Sequence, residues 1–243
     1  MARIGMLTPS SNTTLEPECA AMVQGLAHTV HFARFPVRSI SLSASDREQF
    51  AIAPMIAAAE LLAHAQCDVI AWNGTSAGWL GLEADRTLCR AIEDRTGIRA
   101  VSTTQALIQA FKAFGVRRVG LVVPYNEAVT GRIIATFEQV GFTVPVERHL
   151  GLTVNTDFAR IPPTTLAQLM REVAPQADAV AVYCTNVAGA PLAEELEQET
   201  GRPVLDSVAV TMWATLRAVG QETGIAGWGR LLRDWPAFDP LRW

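Results

Sequence analysis

"DAVAVYCTNVAGAP" (residues 178–191) and "DVIAWNGTSAG" (68–78) align without a gap, and reading them as two copies of one unit decides the fold. Each opens on Asp, runs through a short apolar strand and leaves it in a loop of small polar residues ahead of a helix. A strand that is apolar at successive positions is buried on both faces, the mark of a parallel sheet covered by helices. Outward from these copies the same alternation fills the chain. Strands are expected at 3–9, 31–37, 68–74 and 99–103, then at 118–125, 142–152, 178–184 and 202–207. Helices are expected at 13–24, 46–65, 83–96 and up to Phe114, then at 127–140, 163–174, 191–200 and up to Leu216. Gly97, Gly115, Gly141 and Gly201 stand where helices should end.

The halves also match in order. "RIGMLTPSSN" from Arg3 corresponds to "RVGLVVPYNE" from Arg118, Asp68 to Asp178, and "TGIRAVS" from Thr96 to "TGRPVLD" from Thr200. Arg, Pro and Asp at non-core positions recur along with the apolar pattern, which points to duplication rather than to two unrelated βα units. The expected fold is α/β: two similar doubly wound lobes, each on a short parallel four-stranded sheet, related by a pseudo-twofold axis with the active site in the cleft between them. Residues 1–115, with a C-terminal segment of about 213–243, form the first lobe, and residues 116–212 form the second.

Composition narrows the function classes. The 243 residues are 49% hydrophobic and 18% charged, with a formal net charge of −4 and no dense Lys/Arg run, so neither nucleic acid nor an anionic membrane is an expected partner. No apolar run approaches the ~18–20 residues that cross a bilayer. The first residues, "MARIGMLTPSSN", do not read as a signal peptide. Cys19, Cys67, Cys89 and Cys184 are widely spaced and form no cluster with His28, His31, His64 or His149. No disulfide framework, no metal site and no cofactor are expected, and the expected compartment is the reducing cytoplasm.

Four loops leave the carboxyl ends of strands, where ligands bind in open α/β sheets: "PSSN" (9–12), "NGTS" (73–76), "PYNE" (124–127) and "CTN" (184–186). Gly74 and Cys184 are counterparts in the repeat, so the cleft should carry one thiol and nothing opposite it. These loops and the repeat resemble the aspartate/glutamate racemase superfamily, whose usual members face two cysteines across a substrate. "IGMLTPSSNTTLEPE" (4–18) is similar to the start of maleate cis–trans isomerases, and "NGTSAGWLG" (73–81) looks like the arylmalonate decarboxylases, which also pair Gly with Cys. The resemblance covers the chain from Arg3 to about Leu231.

It implies a cofactor-independent enzyme. Gly74 removes the second acid/base that symmetrical racemisation needs, and the nucleophile that the resemblance assigns to a maleate isomerase. One thiol suffices where loss of CO2 makes a carbanion that is protonated from one face. The expected function is therefore decarboxylation of a substituted, malonate-like dicarboxylate. An isomerase acting on a small carboxylate with one cysteine stays open as an alternative, as does a non-catalytic carboxylate binder. By family position Cys184 is the acid, with Thr75, Ser76 and Tyr125 stabilising the enediolate. Ser11, Asn12, Gly74, Asn155, Thr185 and Asn186 are the expected substrate contacts. Asn12 and Asn155 match asparagines that grip carboxylates in maleate isomerases and that the arylmalonate decarboxylases lack; Asn12 reads equally as a helix cap. A helix beginning near Pro191 should favour the Cys184 thiolate. The expected partner is a small-molecule carboxylate, and a homo-oligomer is left open.

Overall fold

The computed structural model describes residues 1–221 and 224–236. Two four-stranded parallel sheets form the frame. In the first half, β1 (Ala2–Pro9), β2 (His28–Phe35), β3 (Val69–Trp72) and β4 (Ala100–Ser102) lie in the order β2-β1-β3-β4. In the second, β5 (Arg118–Val123), β6 (Thr143–His149), β7 (Ala179–Val182) and β8 (Val204–Asp206) repeat that order strand for strand as β6-β5-β7-β8. The central strands β3 and β7 are buried at every position, as their unbroken apolar sequences require. In each sheet the chain steps outward after its first strand and returns on the other side for its third. The loops after those two strands therefore diverge and leave a crevice at the carboxyl edge.

The duplication is written in hydrogen bonds as well as in sequence. Asp68 accepts from the Arg3 amide at 2.7 Å, and Asp178 from the Arg118 amide at 2.9 Å. Glu93 accepts from Ala100 N at 2.9 Å, and Glu197 from Val204 N at 2.8 Å. The helices carrying these two glutamates both end on a left-handed glycine, Gly97 (φ +70°) and Gly201 (φ +69°).

The first-half helices are α1 (Leu15–Met22), α2 (Ala44–Glu48), α3 (Ile52–His64), α4 (Ala77–Leu80), α5 (Leu82–Thr96) and α6 (Thr103–Ala113). The second half adds α7 (Glu127–Gln139), α8 (Asn155–Phe158), α9 (Pro163–Val173), α10 (Ala193–Thr200), α11 (Ser207–Ala218) and α12 (Arg230–Asp234). The single helix expected over 46–65 is broken into α2 and α3. Pro54 falls in the first turn of α3, where its missing N–H costs nothing; inside a continuous helix it would remove a bond and clash one turn back. The break at 49–51 frees Phe50 to turn towards the cleft. The short helices α4 and α8 carry too little periodicity to be read from sequence.

The halves are held face to face. Helix α6 packs along α11, and α4 along α7. Thr103 and Thr211 pair at 2.7 Å, and the Tyr183 hydroxyl meets Thr104 at 2.7 Å and donates to the Thr75 carbonyl at 3.0 Å. The 213–243 segment does not go as a whole with the first lobe. Helix α11 touches α1 and α6, but α12 lies on α10, α11 and β8, where Arg230 N donates to Glu197 at 2.6 Å and Leu231 and Leu232 are buried. Residues 237–243 lie outside the described residues. Among the described residues, no helix is long and apolar enough to cross a membrane.

Candidate active site

The loops after β1, β3, β5 and β7 meet at a cavity of about 20 Å³ between the halves. Cys184 lines it from the second half, with Tyr125, Thr185 and Asn155; Gly74 and Thr75 line it from the first, with Trp72 and Trp79. Pro9, Val37, Ile40 and Phe50 complete the wall. Cys184 is 2% exposed, closed off from solvent but facing the groove between the lobes.

An aromatic relay surrounds it. Phe50 meets Trp79 at 5.8 Å, Trp79 meets Tyr125 at 5.3 Å, and Tyr125 meets Phe158 at 5.5 Å between ring centroids, crossing from one half to the other. Among the described residues none lining the cavity is cationic. The polar groups that reach it are hydroxyls, one amide and the thiol. The Tyr125 hydroxyl lies 2.7 Å from Thr75 Oγ1 and lines the same cavity as the Cys184 thiol, whose charged form it favours, so one phenol links the two loops.

Burial pushes the Cys184 thiol up to about 12. The Tyr125 hydroxyl and the Asn186 N–H, 3.4 Å from the sulfur, pull against that shift without cancelling it, and Asp206 adds to it. The helix expected near Pro191 starts as a 3₁₀ turn at Ala190–Leu192 and continues as α10 from Ala193, and burial outweighs the groups that favour the thiolate. Cys184 therefore rests as a neutral thiol at physiological pH. Burial likewise drives the Tyr125 phenol well above its ordinary value, keeping it a donor.

The expected substrate contacts divide. Gly74, Thr75, Asn155 and Thr185 reach the cavity, whereas Ser11, Asn12 and Asn186 lie behind it in a clasp between the halves. Asn12 Oδ1 accepts from Thr14 N at 3.0 Å and Leu15 N at 2.9 Å, capping α1, while its Nδ2 donates to the Thr185 carbonyl at 2.9 Å. Asn186 Oδ1 accepts from Thr13 N at 2.9 Å, and its Nδ2 donates to the Asn155 carbonyl at 2.6 Å. Asn155 Nδ2 donates to Ser11 Oγ at 2.7 Å. Here Asn12 bridges the loops after β1 and β7 with both ends of its amide already engaged. Ser76, expected beside the enediolate, faces a neighbouring crevice instead, because the first turn of α4 carries it past Trp72.

The main residue that sequence reasoning missed is Trp72. A Cβ built on Gly74 would stand 2.0 Å from Trp72 Cζ2, so the indole fills the space that a side chain opposite the thiol would need. The signal was a tryptophan one residue before the loop, on a strand otherwise made of small and branched residues. Cys19, Cys67 and Cys89 are buried in the core. His149 lies beside Glu147 at 3.1 Å on the surface, and Asp206 caps α11. Among the described residues no group of three His, Cys, Asp or Glu side chains converges as metal ligands would.

Comparison with known proteins places this geometry. The family model described as arylmalonate decarboxylase matches residues 4–232. A maleate isomerase of Nocardia farcinica is 29% identical over 246 residues, covering 96% of each chain. An arylmalonate decarboxylase of Bordetella bronchiseptica is 29% identical over 171 residues, covering 68% of this chain and 71% of that protein. The solved structure of the Nocardia farcinica maleate cis-trans isomerase bound to TRIS superimposes with a TM-score of 0.86 at 26% identity, covering 96% of this chain and 98% of the other.

Proposed function

The chain belongs to the arylmalonate decarboxylase family, and from that premise we propose that it is a cofactor-independent decarboxylase of a substituted malonate, with Cys184 as its only proton donor to carbon. The observation that carries this reading is the one-sided cleft, which Cys184 lines from the second half and Gly74 from the first, and burial of the sulfur agrees with it. A thiol held neutral by burial is an acid waiting for a carbanion, whereas nucleophilic attack on a double bond calls for a thiolate. Gly74 on the facing wall supplies no second acid or base.

The reaction balances with these groups. One carboxylate sits against the aromatic and aliphatic wall of Ile40, Phe50 and Trp79, where desolvation disfavours its charge, and the carbon–carboxyl bond breaks to release CO2. The electron pair moves into the remaining carboxylate as an enediolate. Thr75 and Tyr125 donate hydrogen bonds to the oxygens as negative charge develops. Cys184 gives its proton to carbon from one face, and the thiolate recovers a proton from water that enters as product leaves. Thr185 and Asn155 orient the retained carboxylate, with Ser11, Asn12 and Asn186 holding their loops in register. The four free cysteines suit a reducing cytoplasm, and the two sheets with the loops between them form the two working lobes.

A second reading, a single-cysteine isomerase, is favoured by one finding: the maleate isomerase match spans 96% of both chains. Malonates, maleate and amino acids incubated in D2O separate the two. Decarboxylation gives CO2 and a product carrying one solvent deuteron at carbon. Isomerisation gives no CO2, and returns either the trans acid or deuterated substrate. Cys184→Ser should lower decarboxylation by about 10²–10⁴-fold, the usual contribution of a positioned acid. Undiminished CO2 release by that variant would overturn the assignment.

A further inference from the structure

Trp72 and Phe50 are shared by two cavities. One is the cleft at the sulfur; the other lies between the start of α3 and α5 and measures about 300 Å³ against about 20 Å³. Ile52, Met55, Leu80 and Leu88 line the larger one, and Ile52 stands 40% exposed there. The cavity at the sulfur has room for about one water molecule, too little for a dicarboxylate. A substrate whose reacting carbon lies beside Cys184 must displace part of the wall. Phe50 and the Trp72 indole are the parts that border the larger cavity, and the indole is the one that fills the space opposite the thiol at Gly74.

The larger cavity also holds a buried acid. Asp85 is 2% exposed and accepts a hydrogen bond from Ser102 Oγ. The Trp72 and Gln105 side chains approach it and favour its charged form, but neither makes a bond of ordinary geometry to Oδ1, which is left without a partner. An unpartnered carboxylate oxygen in an apolar pocket is costly unless something fills it.

We propose that this cavity is the subsite for the substituent of the substrate, that the substituent is apolar and tipped with a hydrogen-bond donor for Asp85, and that Trp72 sets how large it can be. The inference rests on the malonate reading of the cleft. It makes Trp72 a specificity residue with no part in the bond-breaking step.

Binding, rather than turnover, tests it. In a Cys184→Ser background, where turnover is slowed about 10²–10⁴-fold, calorimetry is run with 2-methyl-, 2-propyl- and 2-hexylmalonate. With Trp72→Leu added, each further methylene should strengthen binding by about fourfold, the value of a buried CH2, and by less with Trp72 present. Ala84→Phe, at an exposed position on the same cavity, should cancel the gain. 2-(4-Hydroxybenzyl)malonate should bind about tenfold tighter than 2-benzylmalonate, and Asp85→Asn should shrink that difference. Trp72→Phe replaces Trp72→Leu where circular dichroism shows the latter unfolded. Equal chain-length slopes with and without the Trp72 substitution, or a slope that survives Ala84→Phe, overturn the inference alone. Failure of every malonate to bind any folded variant overturns the decarboxylase reading and this inference with it.

Discussion

Cys184 ends its strand with the Tyr125 phenol on one side and the Asn186 amide on the other, in a wall that is otherwise aromatic and aliphatic. Two consequences follow for single residues. Tyr125→Phe removes the main group that draws the thiol pKa down, so the thiol becomes a still weaker acid and proton transfer slows. The expected outcome is a kcat reduced about 10–100-fold with KM little changed, and slower alkylation of Cys184 by iodoacetamide at pH 8. Because the protonated thiol is the active form, loss of activity through its ionisation should begin only as pH nears the value of about 12, leaving the profile without a thiol limb below pH 10. The second concerns Gly74. Its missing side chain was legible from the repeat, but the indole that fills the space was not, because a sequence copy shows which side chain is absent and not what has moved in. Gly74→Cys alone should lose about 1–3 kcal/mol of stability through overpacking against Trp72 and show no racemisation of a product-like acid. Paired with Trp72→Leu it should recover stability and gain exchange of the α-proton, both read by denaturant titration and solvent-deuterium uptake.

Elements were read from sequence where their period was long and failed where it was short. The eight strands and the long helices follow from apolar runs and left-handed glycines, and they stand in the expected order. The break between α2 and α3, and the one-turn helices α4 and α8, are set by Pro54 and by contacts with the opposite half, which local pattern does not record. Those irregular pieces carry Phe50, Trp79, Asn155 and Phe158 to the cleft, so the parts hardest to read were the parts closest to the chemistry. The loops depend on the clasp made by Asn186, which satisfies the Thr13 amide and ties α8 to the loop after β7. Asn186→Ala leaves the Thr13 amide and the buried Asn155 carbonyl without their partner and should cost about 1–3 kcal/mol in urea unfolding, with KM rising more than kcat falls. An unchanged midpoint would show that the clasp is dispensable.

Across the whole molecule, the two halves enclose an acid pair with no place in the expected chemistry, although Glu18 closes the 4–18 motif. Glu18 on α1 and Asp206 at the start of α11 are both buried, and burial raises both pKa values, with the charge of Asp206 adding to the shift on Glu18. Asp206 accepts from Val208 N at 2.7 Å and Ala209 N at 3.2 Å, so it is the member that keeps its charge; Glu18, whose oxygens have no donor, holds the proton. A carboxyl with a raised folded pKa contributes stability that is complete below its unfolded value of 4.5 and is lost as pH climbs past neutrality. Wild type should therefore lose stability between pH 5 and pH 9 relative to Glu18→Gln, and parallel curves in urea titrations at the two pH values would refute this. What the halves build together is a cleft with a proton on one wall only. Its most direct test uses a prochiral malonate bearing two different substituents, with the product resolved by chiral chromatography. Delivery from Cys184 alone predicts a single enantiomer; a racemic product would contradict it.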